Sequence, residues 1–344
     1  MTHRFPVKEI ARQSGLSTAT VDRVINNRAN VSPQTKARVA AAISELIGQE
    51  AQLAAGGRRM FFDFVIEAPT RFSREIRKAA EQILPHIGSA VCRPRFQVQE
   101  IMDEDEVTDA LSRIAKRGSH GVCIKARDLP TIRSAVDQLV AVGIPVVTLV
   151  TDLTTTKRIV YVGLDNESAG HTAAYLIAKT IGDSDGTVLT SRSQDQFLGE
   201  EEREVAFRAT LNRLCPKLSI IDASGGSGVN FETSRIMQST VAGLDQIRAV
   251  YSMGGGNTAI LKALEQNGSL PDVFVAHDLD HDNRQLIEDG RLSYVLHHDL
   301  RVDLQSVFQA FLHHHKLMPV PPHTAISHVQ VVTPENIPPV ERRF

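Results

Sequence analysis

Between positions 7 and 46 the apolar residues Val7, Ile10, Ala11, Leu16, Val21, Val24, Ile25, Val31, Val39, Ile43 and Leu46 fall at helical spacing, interrupted twice. The first interruption is Ser14-Gly15-Leu16-Ser17. Gly15 can take the positive φ that a tight helix-to-helix turn needs, and Ser17 is placed to cap the next helix. The second is Ser32-Pro33, a capping serine followed by proline at a first helical position. The pattern predicts three short helices, the middle one over about residues 18–26, in a helix-turn-helix arrangement. Past residue 59 the pattern changes to short apolar runs alternating with amphipathic segments. Strands are expected at 60–66, 95–101, 121–125, 144–150 and 159–164, with helices at 74–87, 104–116, 130–142 and 167–181. The series then repeats. Strands are expected at 187–190, 218–222, 249–252, 273–276 and 293–296, with helices at 200–214, 231–243, 256–267 and 281–289. A last helix at 301–315 and a strand at 329–333 close the chain. Such alternation predicts parallel sheets with crossover helices, and two sets of it predict two similar lobes. The expected fold class is therefore α/β, a three-helix head plus a two-lobed body with parallel sheets.

The middle helix of the head buries Val21, Val24 and Ile25. Its other face shows Thr18, Ala19, Asp22, Arg23 and Asn26. In a helix-turn-helix the N-terminal residues of this helix meet base edges in the major groove. Arg23 can donate two hydrogen bonds to guanine, and the Thr18 or Ala19 methyl can touch a thymine methyl. Net charge sharpens this reading. The chain carries 38 Lys/Arg and 40 Asp/Glu, for a net −2. Residues 1–48 hold seven Lys/Arg and three Asp/Glu, so the head is +4 and the rest −6. A small basic head on an acidic body suits a protein that offers only the head to phosphates.

The stretch VKEIARQSGLSTATVDRVINN resembles the N-terminal motif of the lactose/galactose repressor family, and VSPQTKARVAAAISEL resembles that family's third helix. The resemblance implies operator DNA as a partner, a homodimer, and a body built like a periplasmic sugar-binding protein. It places Ser17, Thr18, Ala19, Thr20, Asp22, Arg23 and Asn26 at the DNA, and Leu53 where the family has a leucine that wedges into the minor groove. Two departures stand out. The family usually has serine at Asp22, and its Tyr-x-Pro-Asn stretch is absent after Leu46. Residues 48–59, with no strong apolar period, are expected to form a linker between the head (1–47) and the body (60–340). In the family fold the chain crosses between lobes three times. Here the crossings are expected near 164–166, 297–300 and 325–328, giving lobes of about 60–164 plus 299–325, and 165–298 plus 326–340.

In open α/β sheets, ligands bind beyond the C-terminal ends of the strands. Polar and aromatic residues just after the expected strands are Thr70 and Phe72, Asp152, Asp165, and Asp278. Arg203 lies in an Arg-x-x-Ala-Phe segment resembling the family's ligand-contacting Arg-x-x-Gly-Phe. Asn257 follows three glycines, and His297, or its neighbour His298, stands where the family often has glutamine. Carboxylates accept from vicinal hydroxyls while Arg and Asn donate to ligand oxygens, so this set fits a small polar effector such as a sugar or sugar derivative.

Other features narrow the alternatives. Cys92, Cys123 and Cys215 are scattered and odd in number, which argues against a disulfide framework or a zinc site and fits a reducing cytoplasm. No apolar run approaches the ~18 residues of a membrane span, and no signal stretch opens the chain. The loops at 225–228 and 254–256 lack the Lys-Ser/Thr of a nucleotide loop and are read as tight turns. The His277 to His281 segment is read as a strand-end loop rather than a metal site, and no cofactor is expected. The expectation is a cytoplasmic, non-enzymatic transcription regulator, most simply a repressor, of carbohydrate genes. The alternative is a sugar-processing enzyme, such as a kinase, fused to a DNA-binding head. A transporter's sugar-binding module is opposed by that head.

Overall fold

The structure is a computed structural model describing residues 4–28, 31–55, 58–244, 246–318 and 326–339. The head consists of α1 (Val7–Ser14), α2 (Thr18–Ile25) and α3 (Pro33–Ala55). Gly15 ends α1 in the left-handed region at φ 63°, where a Cβ would sit 3.2 Å from Arg38 Nη2, and that nitrogen donates to the Ser14 carbonyl at 2.8 Å. Ser17 caps α2 by accepting from Thr20 N at 3.1 Å, and Ser32 caps α3 in the same way through Thr35 N. Ile10, Val21 and Val39 are fully buried between the three helices. The third helix does not stop at residue 47. It continues to Ala55, so most of the expected linker is helical. Residues 49–55 (QEAQLAA) are strong helix formers, and propensity rather than apolar period carries this extension. Leu53 lies on it, with its side chain outside the described residues.

The body holds two six-stranded sheets. The first contains β1 (Arg59–Glu67), β2 (Val91–Gln99), β3 (Val122–Lys125), β4 (Val146–Leu149), β5 (Val160–Leu164) and β11 (Ile326–Ser327), in the order β11-β5-β4-β3-β1-β2, all parallel. The second contains β6 (Gly186–Ser191), β7 (Leu218–Asp222), β8 (Ile247–Ser252), β9 (Val273–His277), β10 (Tyr294–His297) and β12 (Gln330–Val332), in the order β12-β10-β9-β8-β6-β7. Only β12 runs antiparallel, against β10. The central strands VCIK and VVTL are buried throughout, as strands covered by helices on both faces must be.

On the first sheet, α5 (Glu104–Arg117) and α6 (Pro130–Ala141) cover one face. The other carries α4 (Thr70–Ile83) and α12 (Leu300–His314), whose Phe308 and Phe311 pack on Phe62 and Phe64 of β1. On the second sheet, α7 (Asn166–Ile181) and α8 (Leu198–Leu214) cover one face. The other is covered by α9 (Asn230–Val241), α10 (Asn257–Gln266) and α11 (His281–Glu288).

The chain passes between sheets after β5 and again between β10 and α12. The third passage lies between β11 and β12. Ile326 and Ser327 pair with Gly163 and Leu164 in the first sheet, so the chain leaves that sheet only after Ser327.

Candidate functional site

A narrow cavity of about 50 Å³ lies where the C-terminal ends of both sheets face each other. That is room for a few waters, and the lobes touch around it. The Asp128 amide donates to Gln196 O at 2.7 Å, and the Gly199 amide to Thr151 Oγ1 at 3.1 Å. Arg71, on the first turn of α4, reaches across to ion-pair with Asp280 at 2.9 Å and donates to Gly228 O at 2.7 Å. Glycine at 255 makes room for this arginine, because a Cβ there would sit 1.9 Å from Arg71 Nη2. The 254–256 loop is thus a close-approach surface for the opposite lobe.

From the first lobe, the end of β1 supplies Glu67 and the end of β3 supplies Lys125, both buried. Lys125 donates to the Glu67 carbonyl at 2.8 Å and lies 4.0 Å from the centre of the Phe197 ring. Arg127 stands 3.4 Å from Glu67 Oε2, while Glu67 Oε1 is buried with no partner. Burial raises the Glu67 pKa despite these cations. From the second lobe, α8 brings Glu200 and Arg203. Glu200 accepts from Ser193 N at 2.6 Å and Ser193 Oγ at 2.7 Å. Arg203 donates to Asn166 Oδ1 at 2.8 Å and to Met253 O at 3.3 Å. The position of Arg203 depends on Gly170: a Cβ there would come within 2.2 Å of the Arg203 carbonyl, so α7 and α8 can cross this closely only over glycine.

Asp278 forms the cavity floor just past β9, at a left-handed φ of 63°. Asn283 holds that turn, donating to the carbonyls of His277 and Asp278 at 2.8 and 2.7 Å while accepting from Asn257 at 2.7 Å. Behind the floor lies His298, fully buried, 3.5 Å from Asp278 and 2.5 Å from Asp303 on α12. Ser327 of β11 in turn donates to Asp303. Burial opposes a charge on His298, but the two carboxylates outweigh it and raise its pKa to about 10. Burial likewise opposes ionisation of Asp278, and the His298 imidazolium, with Arg203 beyond it, holds that carboxyl well below its ordinary range. One buried chain of charge therefore joins the cavity floor to two of the three interlobe passages. Beside it, His277 is kept neutral by burial and shares a 2.8 Å hydrogen bond with Tyr251.

Of the residues singled out from sequence, Phe72, Arg203 and Asp278 line this cavity. The others do not. Thr70 is exposed and donates to Glu100. Asp152 is clasped by Arg158 and Thr148. Asp165 caps α7 by accepting from Ser168 N. Asn257 acts one layer back, through Asn283. His297 faces a neighbouring groove and accepts from Leu279 N, and burial drops its pKa to about 4. The sequence reading passed over Lys125, Phe197, Glu200 and Asn283. Lys125 ends a strand and was findable by the same rule as Asp278, whereas the others come from loops and helices that only the fold brings near.

In the head, Thr18, Ala19 and Arg23 are exposed on α2 beside the capping Ser17 and half-buried Thr20. Asp22 is not a bare negative charge, since Asn26 donates to it at 2.8 Å and Arg28 stands 3.4 Å away.

Residues 7–47 match the model for bacterial regulatory proteins of the lacI family, and residues 70–301 match that for the periplasmic binding protein domain. The chain belongs to the lacI family of bacterial regulatory proteins. Its body has the periplasmic-binding-protein fold. GanP, a glucose-galactose binding protein from Geobacillus stearothermophilus, superimposes on this regulator with a TM-score of 0.70 at 16% identity, over 82% of this chain and 99% of that one. A solute binding protein from Agrobacterium vitis, solved with alpha-D-tagatopyranose, does so at 0.69 and 17%, over 80% and 95%. The fructose-binding periplasmic domain of a hybrid two-component system gives 0.71 and 17%, over 80% and 91%. At these identities the likeness is one of fold. None of the curated proteins compared matches the chain in sequence. Among the described residues, no helix is long and apolar enough to cross a membrane.

Proposed function

We propose that this regulator is a homodimeric, cytoplasmic repressor of carbohydrate genes, released from or fastened to its operator by a small sugar-like effector in the interlobe cavity. One observation carries the reading. Buried donors and acceptors from both lobes, with the rings of Phe72 and Phe197, converge on one cavity at the sheet ends. Aromatic faces and paired polar groups of this kind suit a polyhydroxyl ring. The sugars named for the structural relatives support the same class. An effector that favours one lobe angle changes the head spacing in a dimer, and it shifts DNA affinity only as far as it prefers one state. In this reading Thr18, Ala19 and Arg23 read bases while Ser17 and Thr20 set the helix start.

A thermal-shift screen of the full chain against monosaccharides, polyols and their derivatives tests the effector site, since a ligand of the folded state raises Tm by mass action. A binder that also changes operator affinity supports the proposal. A binder that leaves operator affinity unchanged contradicts it.

A further inference from the structure

We infer that the effector is a hydroxylated anion, a sugar acid or sugar phosphate, rather than a neutral sugar. This rests on the reading of the cavity as the effector site. The evidence is an imbalance in how the charges around the cavity are answered. Each carboxylate there already has donors. Glu67 has Arg127 at 3.4 Å, Asp280 has Arg71 at 2.9 Å, and Asp278 has His298 at 3.5 Å. Both oxygens of Glu200 are taken by Ser193, and Glu100 accepts from Thr70.

Lys125 and Arg203 are answered differently. They are 8% and 2% exposed, and among the described residues neither forms an ion pair. Lys125 donates only to the Glu67 carbonyl, and Arg203 only to the Asn166 amide oxygen and the Met253 carbonyl. An ammonium has three N–H donors and a guanidinium five, so most of their donors are unspent in a cavity that both residues line. Glu200 is a counter-charge to Lys125 at longer range, but its oxygens are committed to Ser193. Burying cations without a direct counter-ion is costly, and a ligand that brings one removes the cost. Two buried atoms of cavity-lining residues lack a partner among the described residues, Glu67 Oε1 and His277 Nδ1, and the Glu67 oxygen is an acceptor that asks for a hydroxyl. Anionic oxygens for Lys125 and Arg203, with a hydroxyl for Glu67, describe a hydroxylated acid or phosphate.

The test is calorimetry and thermal shift on the full chain with matched sets: D-galactose against D-galacturonate, and D-glucose against D-gluconate and D-glucose 6-phosphate. Inorganic phosphate serves as the bare-anion control. The expected result is that an acid or phosphate binds roughly tenfold or more tightly than its neutral counterpart, the difference one charge-assisted contact supplies. Which arm responds distinguishes carboxylate from phosphate. Lys125→Met, checked for folding by circular dichroism, should erase that preference, bringing the ratio of charged to neutral ligand affinity to about one. The wild-type ratio decides the matter even if this variant fails to fold. Neutral sugars binding as well as or better than their charged partners would overturn the anion inference and leave the sugar-effector reading standing. Inorganic phosphate binding as tightly as the sugar anions would overturn the hydroxyl requirement. No response from either half of the panel would overturn both readings.

Discussion

Replacing His298 with glutamine removes the positive charge between Asp278 and Asp303 and leaves one partly buried and one buried carboxylate facing an uncharged amide. The rise of the His298 pKa from 6.5 to about 10 corresponds to roughly 5 kcal/mol of preference for the charged form at about 1.36 kcal/mol per pH unit. Removing one partner of a buried ion pair costs about 3–5 kcal/mol by independent reasoning. A loss of several kcal/mol is therefore expected at pH 7. The sign of its pH dependence follows from linkage. A histidine whose pKa is raised on folding contributes stability that is complete below the unfolded value of 6.5 and is lost as pH climbs toward 10. Wild-type stability should accordingly fall by up to about 1.4 kcal/mol per pH unit between pH 7 and 10 relative to His298→Gln. The chain has no tryptophan, so urea unfolding is best followed by circular dichroism. Subtracting the variant's curve removes the shared titration of Lys125 and the cysteines. Parallel wild-type and variant profiles across this window would refute a charged His298 and with it the hinge network.

Three further outcomes follow from the geometry. Arg23→Ala, on the exposed face of α2, should weaken operator binding by about 1–3 kcal/mol and relax preference at one base pair; unchanged affinity in an anisotropy titration at fixed salt would remove Arg23 from the interface. Arg71→Ala cuts the crossing to Asp280 and Gly228, so the ligand-free protein should open, and small-angle scattering should show a larger radius of gyration than wild type; identical curves would show that other contacts close the cleft. Gly121→Ala places a Cβ 2.5 Å from the ring of Phe311, which stacks on Phe62 at 4.9 Å. Overpacking of this kind should cost about 1–3 kcal/mol, with a lowered Tm as the readout.

Most of the fold was legible because period and punctuation reinforce each other. Gly15, Ser17 and Ser32-Pro33 mark the head's turns, and the buried strands VCIK and VVTL read as apolar runs. Two things escaped. The two-residue β11 is too short to have a period, and the extension of α3 rests on helix propensity in a segment without an apolar stripe. The site was only partly legible for a chemical reason. A carboxylate just after a strand can face a ligand, cap the next helix or hold an arginine, and position alone does not choose. Asp278 lines the cavity, Asp165 caps a helix and Asp152 holds an arginine. Arg203 was legible through its helical motif, while Phe197 and Glu200 reach the cavity from a loop and helix whose approach depends on Gly199 and Gly170.

The central claim is that the cavity and the head are coupled through one conformational equilibrium. The most direct test is an anisotropy titration of DNA selected by this protein from a random pool, with and without the tightest ligand from the screen, on wild type and Asp278→Ala. Ligand should shift wild-type DNA affinity by roughly tenfold or more, within the range of ordinary coupling energies. Asp278→Ala should bind the same DNA normally and fail to respond to ligand at the same concentration. Equal wild-type affinity with and without saturating ligand, or an Asp278→Ala response as large as that of wild type, would contradict it.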